Sequence, residues 1–199
     1  MKNSLAIGIT GIFGSGKTTV SKILKKMGFK VISCDEIVHK LLNRKDIIKK
    51  FKKIFGTEVV KNNKINRKKA REIIFKNSKK KEKIEKILHP EVFKKIKKEI
   101  LDIKNKKGII FIEIPLLFET KSEYLFDKIM VVSAPKKEIK ERLRNRYSEE
   151  EIKNIWKSQI PLSYKEKKAD YIIDNSGSIL ETEKKIKKII ENLLKGTKN

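Results

Sequence analysis

The chain has 199 residues, of which 38% are apolar and 38% charged, so it can bury the core of one domain but is too short for a multidomain motor or helicase. Lysine and arginine total 51 against 25 acidic residues, a net charge of +26. Because arginine is scarce and lysine is spread along the whole chain, we attribute this charge to composition bias rather than to a nucleic-acid surface.

The cysteine content and the apolar runs limit the cellular setting. A single cysteine, Cys34, excludes an internal disulfide. The first residues carry no apolar signal stretch, and the longest apolar region, residues 109–118, is interrupted by Glu113 and Pro115. We therefore expect a cytoplasmic protein with no membrane partner and no specific nucleic-acid partner, as a monomer or a weak homo-oligomer.

The first predicted element is a buried strand over residues 4–10, followed by a glycine-rich sequence. That sequence, Gly11-x-x-x-x-Gly16-Lys17-Thr18, has the spacing of a phosphate-binding P-loop. Glycine is needed because backbone N–H groups must curl around phosphate oxygens, and a Cβ would block the approach. A chance glycine-rich turn is the alternative. The apolar run before the motif and the helical spacing after it favour binding of a nucleoside triphosphate.

Each part of this motif has an expected role. Lys17 is placed to reach the β- and γ-phosphates, and the Thr18 hydroxyl is placed to bind Mg²⁺. The predicted triphosphate contacts are Gly11, Gly14, Ser15, Gly16, Lys17, Thr18 and Thr19.

A second short strand, predicted over residues 30–33, leads to Asp35 at the start of the next helix. An acid at the carboxyl end of a parallel strand faces the crevice in which α/β sheets bind ligands. The same residue type is favoured as a helix N-cap, and position alone does not separate the two roles. We interpret the neighbouring Cys34 as a packing residue rather than a nucleophile.

Residues 36–106 are predicted to be mostly helical, with one weak strand signal at residues 58–60. The apolar stripes are short and lack a sustained heptad, which argues against a coiled protein-binding arm. Small-molecule kinases carry their acceptor-binding part at this point of the chain, so we assign that role to the insertion. Pro90 is expected to kink or restart the long helix here, leaving His89 at the break.

Three further apolar runs predict strands over residues 108–114, 127–133 and 169–174. Five strands alternating with helices predict an α/β fold of the P-loop NTPase type, with a five-stranded parallel sheet flanked by helices in one domain over residues 1–199. Residues 142–164 contain three arginines and a helix that begins at the capping box Ser148-x-x-Glu151. We expect these residues to form a mobile lid that excludes water from the reaction.

The motifs of a GTPase are not present in the required order. The nearest matches to Asp-x-x-Gly and Asn-Lys-x-Asp are residues 174–177 and 43–46, which are reversed along the chain. We regard both as coincidental. A small kinase fits the P-loop, the acid after the second strand, the helical insertion and the arginine-rich segment.

At the level of whole motifs, the chain resembles the dephospho-coenzyme A kinase family over nearly its full length. The matching pieces, in family order, are residues 9–19, residues 31–35, Leu88-His89-Pro90, Pro115-Leu116-Leu117-Phe118-Glu119, residues 142–146, Gln159 and residues 169–177. The family commonly has Asp-Ala-Asp after the second strand, whereas this chain has Ser33-Cys34-Asp35. The second acid, which the resemblance makes the catalytic one, is retained.

The resemblance implies transfer of the ATP γ-phosphoryl group to the ribose 3′-hydroxyl of dephospho-CoA, giving CoA and ADP as the last step of CoA synthesis. It implies that Asp35 is the general base and that Lys17, Arg142 and Arg146 place positive charge around the transferred group. The further contacts that it implies are Asn175 and Gly177 for ATP, Thr18 for Mg²⁺, and Thr10, Asp35, His89 and Leu116 for the acceptor.

Several assignments have alternatives. His89 could instead pack at the helix kink. Glu113 could reach the water shell of Mg²⁺; the alternative is a structural role, because a buried carboxylate needs a partner in any case. Trp156 fits lid packing better than base stacking, and the sequence assigns no role to Glu119. The alternative functions are a nucleoside or nucleoside monophosphate kinase of the same fold, or a basic P-loop protein that binds nucleic acid.

Overall fold

The computed structural model describes residues 4–106 and 108–196. It contains a five-stranded parallel sheet whose strands are connected by helices. In chain order the strands are β1 Leu5–Thr10, β2 Lys30–Ser33, β3 Val60–Lys61, β4 Lys64–Ile65, β5 Ile109–Glu113, β6 Lys128–Ser133 and β7 Tyr171–Asp174. The helices are α1 Lys17–Lys26, α2 Cys34–Leu41, α3 Lys45–Phe55, α4 Arg67–Lys76, α5 Ser78–Asn105, α6 Lys136–Leu143, α7 Glu149–Lys157, α8 Leu162–Lys167 and α9 Ile179–Gly196.

The sheet has the order β2-β5-β1-β6-β7, and all of its strand pairs are parallel. The central strand is β1, in which Ile7 lies opposite Phe111 on one side and Lys128 on the other. Since helices cover the faces of such a sheet, its inner strands read as continuous apolar runs. The predicted fold class and all five predicted sheet strands are confirmed.

The described chain divides into two compact units. The sheet unit contains the described residues up to Ser33 and those from Ile100 onward, and the helical unit contains residues 34–99. In the sheet unit, β1, β5 and β6 pack against α1 and α9 through a core that includes Val20, Phe111 and Ile186.

The helical unit has its own core, built around Ile47 and Phe51 of α3. The weak strand signal at residues 58–60 corresponds to a 3₁₀ turn, Thr57–Val59, followed by β3. This strand pairs antiparallel with β4, which the sequence did not predict. Asn62 and Asn63 connect the two with φ of 50° and 55°, the left-handed conformation that two-residue hairpins require.

Helix α5 continues through Pro90, so of the two expected outcomes a restart is wrong, and a kink at this residue stays a prediction. The His89 ring packs edge-on against Phe93 one turn later, with 6.1 Å between ring centroids. This contact agrees with the packing alternative for His89. Among the described helices, none has an apolar stretch long enough to cross a membrane.

Candidate active site

The P-loop joins β1 to α1 and turns on glycines with left-handed backbone conformations. Gly14 and Gly16 have φ of 81° and 98°. A Cβ on Gly16 would collide with the side-chain amide of Asn175, and one on Gly14 would collide with Ile139. Within the described ranges, the backbone N–H groups of Gly14 and Gly16 donate to no protein acceptor, which leaves them available to an anion.

Lys17 begins α1, and its side chain folds back over the first half of the loop. Its Nζ donates hydrogen bonds to the carbonyls of Gly11, at 3.2 Å, and Ile12, at 2.9 Å. The residue is buried, with 8% of its surface exposed. Two main-chain carbonyls therefore fix the ammonium beside the phosphate-binding loop.

Glu113 ends β5 and provides the carboxylate next to the loop. It accepts hydrogen bonds from the hydroxyls of Thr18, at 3.1 Å, and Ser21, at 2.7 Å. These partners compensate for its burial, since only 4% of the residue is exposed. Ser21 was missed by the sequence reasoning, although it follows Thr18 on the same helix and carries the same functional group.

The oxygen atoms at this point suit Mg²⁺, which takes oxygen ligands and keeps several waters and substrate phosphates in its shell. Thr18 and Glu113 supply a hydroxyl and a carboxylate. Over residues 4–106 and 108–196 there is no group of three or more His, Cys, Asp or Glu side chains placed to hold a metal ion. The hydroxyl and the carboxylate oxygen therefore fit the protein's part of such a shell.

Asn175, which follows β7, stabilises the P-loop through side-chain hydrogen bonds. Its Nδ2 donates to the carbonyl of Ser15 at 2.8 Å, and its Oδ1 accepts from the hydroxyl of Thr182 at 3.0 Å. Only 7% of the residue is exposed. The structure thus gives Asn175 a supporting role that the sequence did not reveal, while its contact with ATP, and that of Gly177, remain predictions.

Two of the three arginines of the predicted lid, Arg142 and Arg146, differ in their surroundings. Arg142 donates from Nη2 to the carbonyl of Asn175 at 2.6 Å and contacts Glu138 at 3.3 Å. The Arg146 side chain is exposed and forms no hydrogen bond or ion pair in the described part of the chain. Arg142 therefore fastens α6 to the turn after β7, whereas Arg146 is free to meet a ligand.

The predicted lid packs around residues of the P-loop itself. Ile12 lies in a core cluster with residues of α6 and α7. Trp156 Nε1 donates to the carbonyl of Phe13 at 3.0 Å, and Gln159 Oε1 accepts from the Phe13 N–H at 2.8 Å. These contacts agree with the packing interpretation of Trp156. A cavity of about 560 Å³ opens beside this cluster.

Glu119 acquires a role from its partners. Its Oε1 accepts a hydrogen bond from the Ile160 N–H at 2.9 Å and lies 2.8 Å from Nζ of the fully buried Lys165. The lysine contact is a close ion pair that lacks hydrogen-bond alignment. Glu119 therefore fastens the C-terminal end of the predicted lid to the loop after β5.

In the helical unit, Asp35 is the second residue of α2, so its carboxylate belongs to the first turn and the N-cap alternative is wrong. Asp35 is exposed and lines a cavity of about 480 Å³ whose walls include Leu42 and Phe51. Arg67 Nη1 and His39 Nε2, 2.9 Å apart, form a polar edge of the same cavity. The adjacent Cys34 is buried, as expected of a packing residue.

The remaining residues predicted to contact the acceptor differ in how exposed they are. Thr10 has no exposed surface, and its hydroxyl donates to the carbonyl of Pro115 at 3.4 Å. This burial conflicts with a direct contact between Thr10 and a ligand. Leu116 is partly exposed, and His89 is partly buried against Phe93.

The parallel sheet with β1 in the centre, together with a P-loop that ends in a lysine and a hydroxyl, defines a P-loop protein that binds nucleoside triphosphates. A family model described as dephospho-CoA kinase matches residues 5–181. A dephospho-CoA kinase from Aquifex aeolicus is 37% identical over 190 residues, which cover 94% of this chain and 96% of that protein. The chain belongs to the dephospho-CoA kinase family, so it is a kinase of CoA biosynthesis, and the family resemblance is confirmed.

Solved structures agree with this membership. A protein from Thermus thermophilus has a TM-score of 0.80 and 30% identity, with 96% of this chain and 98% of that one covered. A dephospho-CoA kinase from Campylobacter jejuni has a TM-score of 0.69 and 33% identity, with 95% and 97% covered. The matches extend over both the sheet and the helical insertion.

Proposed function

We propose that this chain transfers the γ-phosphoryl group of ATP to the ribose 3′-hydroxyl of dephospho-CoA and that the residues described above carry out the transfer. The observation that carries the proposal is the family match over residues 5–181, which includes the P-loop, Asp35 and the arginine-rich segment. Phosphoryl transfer depends on positioning and on neutralising charge more than on covalent chemistry. The site contains residues suited to positioning the substrates and residues that carry positive charge.

The phosphate groups of ATP would lie in the P-loop. The free N–H groups of Gly14 and Gly16 would donate to phosphate oxygens, and the Lys17 ammonium, positioned by the carbonyls of Gly11 and Ile12, would contact the β- and γ-phosphates. A buried ammonium interacts strongly with a phosphate because little water screens it. This arrangement stabilises the charge that spreads over the transferred group.

Thr18 and Glu113 would hold the metal of MgATP. The Thr18 hydroxyl and the Glu113 carboxylate, 3.1 Å apart, would supply the protein oxygens for the ion. When bound, Mg²⁺ neutralises phosphate charge. Ser21 keeps the Glu113 carboxylate in place through the 2.7 Å hydrogen bond from its hydroxyl.

The helical unit would bind the acceptor, with its apolar cavity taking an uncharged part of dephospho-CoA and Arg67 at the edge attracting a phosphate. Asp35 would orient the 3′-hydroxyl and accept its proton. The 3′-oxygen then bonds to the γ-phosphorus while the bond from that phosphorus to the β–γ bridging oxygen breaks, and ADP leaves. Leu116 and His89 remain candidates for acceptor contacts, and Thr10 is better assigned to supporting the turn at Pro115.

We also propose that residues 142–164 act as a lid in which Arg146 reaches the phosphates when the site is filled. Its exposure and its lack of a partner within the described residues support this role. Arg142 would contribute from a fixed position, since it is held by the carbonyl of Asn175. The domain assignment follows from these roles: residues 36–106 bind the acceptor, and the sheet unit binds ATP.

The direct test is to incubate the protein with ATP, Mg²⁺ and dephospho-CoA and to follow products by mass spectrometry. The expected product has the mass of CoA, and digestion with a 3′-nucleotidase should remove the added phosphate. Parallel reactions with nucleosides and nucleoside monophosphates test the alternative substrates. Transfer to a nucleoside monophosphate with none to dephospho-CoA would overturn the proposal.

A further inference from the structure

The peptide unit between Ile12 and Phe13 has a partner at each end. Its carbonyl, on Ile12, accepts a hydrogen bond from Lys17 Nζ at 2.9 Å. Its N–H, on Phe13, donates to Gln159 Oε1 at 2.8 Å. Because the peptide bond is planar, the orientation of the N–H fixes the orientation of the carbonyl. Gln159 is thereby connected to Lys17 through one rigid group.

Further contacts hold Phe13 in this position. Trp156 Nε1 donates to the Phe13 carbonyl at 3.0 Å, so the next peptide unit is also fixed from the end of α7. The Phe13 ring packs edge-on against Tyr147, with centroids 5.1 Å apart. Phe13 thus contacts side chains before, within and after α7.

The segment that carries Gln159 is itself anchored. The neighbouring Ile160 donates its N–H to Glu119, and the fully buried Lys165 pairs with the same carboxylate. The Gln159 carboxamide therefore starts from a fixed backbone, which is the condition for positioning another group accurately.

We propose that Gln159 is a positioning residue for phosphoryl transfer: it orients the Ile12–Phe13 peptide, sets the location of the Lys17 ammonium, and couples the end of α7 to the phosphate-binding loop. Trp156 supports it through the following peptide. This role rests on the assignment of the P-loop to ATP. It adds a residue that contacts neither the reacting atoms nor the metal.

The test compares Gln159→Met, which keeps the length of the side chain but removes the acceptor, with Gln159→Glu, which keeps an acceptor oxygen. Ser158→Ala is the matched control, since its hydroxyl donates to the nearby Ile155 carbonyl at 2.7 Å and, among the described residues, to no group of the P-loop. In Gln159→Met we expect faster hydrogen exchange of the Phe13 amide, weaker ATP binding and a kcat lower by about 10-fold, as for a lost hydrogen bond that leaves a donor unpaired. The KM for the acceptor should stay unchanged.

In Gln159→Glu the Phe13 amide should exchange slowly again, a rescue that a purely space-filling role would not give. Trp156→Phe is a second variant that retains the ring and removes the Nε1 donor, and it should weaken ATP binding in the same direction. The proposal would be overturned if Gln159→Met had the same Phe13 hydrogen-exchange rate, ATP affinity and kcat as the wild type. Absence of CoA formation by the wild type would instead refute the proposed function, and the exchange and ATP-binding measurements would still decide the role of Gln159.

Discussion

The side-chain amide of Asn175 donates a hydrogen bond to the carbonyl of Ser15, 2.8 Å away, across 160 positions of sequence. The same amide occupies the space where a Cβ on Gly16 would lie. The P-loop is therefore shaped by a residue that follows the last strand of the sheet, and its glycine is required by this contact as well as by its conformation.

Replacing Asn175 with alanine should lower both stability and ATP affinity. The change removes the donor to the Ser15 carbonyl, which costs about 1–3 kcal/mol for a buried polar group, while the Thr182 hydroxyl keeps its 3.1 Å hydrogen bond to the Ser178 carbonyl. Urea unfolding and calorimetric titration with ATP measure the two effects. Ser176→Ala is the control from the same turn, and an unchanged ATP affinity in Asn175→Ala would show that the P-loop keeps its shape without this support.

Replacing Lys17 with alanine should abolish transfer while the protein stays folded. The ammonium lost in this variant is buried beside the P-loop and is held there by the carbonyls of Gly11 and Ile12. We expect turnover to fall by about 10³-fold or more, as for other groups that stabilise charge on a transferred phosphoryl group. Lys22→Ala, on the exposed side of the same helix, controls for the loss of one positive charge. Near-normal turnover by a folded Lys17→Ala protein would contradict the P-loop assignment.

Alanine replacements of Arg142 and Arg146 should have different effects. Arg142→Ala removes the 2.6 Å hydrogen bond to the Asn175 carbonyl, so it should reduce thermal stability as well as turnover. Arg146→Ala removes no contact within the described structure and should reduce turnover alone, by about 10³-fold if the guanidinium meets the transferring group. Thermal unfolding and steady-state rates separate the two cases. Equal losses of stability in both variants would contradict the distinction.

The fold and the phosphate site were predictable because their signals are local. The continuous apolar strands, the spacing of Gly11, Gly16 and Lys17, and the capping box at Ser148 each lie within a few consecutive residues. The supports of the site were not predictable in the same way. Asn175 reaches Ser15, and Gln159 reaches Phe13, through folding contacts that no sequence periodicity encodes.

Two errors have simple physical causes. Proline disfavours a helix interior, but the packing of the apolar face of α5 outweighs this local cost and the helix continues through Pro90. The hairpin of β3 and β4 was missed because each strand has only two residues, too few to show alternation. Its turn at Asn62-Asn63 is the signal that could have revealed it.

Asp174 should make stability depend on acidic pH. The Lys185 ammonium, 2.7 Å away, lowers the pKa of this carboxyl most; the side chain of Ser176 and, to a smaller extent, its backbone N–H also lower it, from the ordinary 3.8 to about 2. Because the folded-state pKa is depressed, the stabilisation is fully present above pH 3.8 and is lost as the pH falls towards 2. Its size is at most about 1 kcal/mol, since the pair is exposed.

Urea unfolding of the wild type and of Asp174→Asn between pH 7 and pH 2 measures this contribution. The difference between the two proteins should be constant at neutral pH and should shrink in the acidic window, where other carboxylates affect both equally. A difference that does not change with pH would show that the Lys185 contact contributes nothing to folding.

Asp35 carries the central claim, since a proton must leave the acceptor hydroxyl as the phosphoryl group arrives. The carboxylate is exposed, lines the cavity of the helical unit and lies in the first turn of α2. Asp35→Asn keeps the shape and removes the basic oxygen. Removing a negative charge from a first helical turn costs only about 0.3–1 kcal/mol, so the variant should fold and bind ATP normally.

The decisive measurement is the kcat of Asp35→Asn with ATP, Mg²⁺ and dephospho-CoA, beside Ser33→Ala as the control from the end of β2. If Asp35 accepts the proton, kcat falls by about 10²–10⁴-fold with ATP affinity unchanged, and Ser33→Ala loses far less. Wild-type turnover by Asp35→Asn would contradict the account and would direct the search for the base to Glu113.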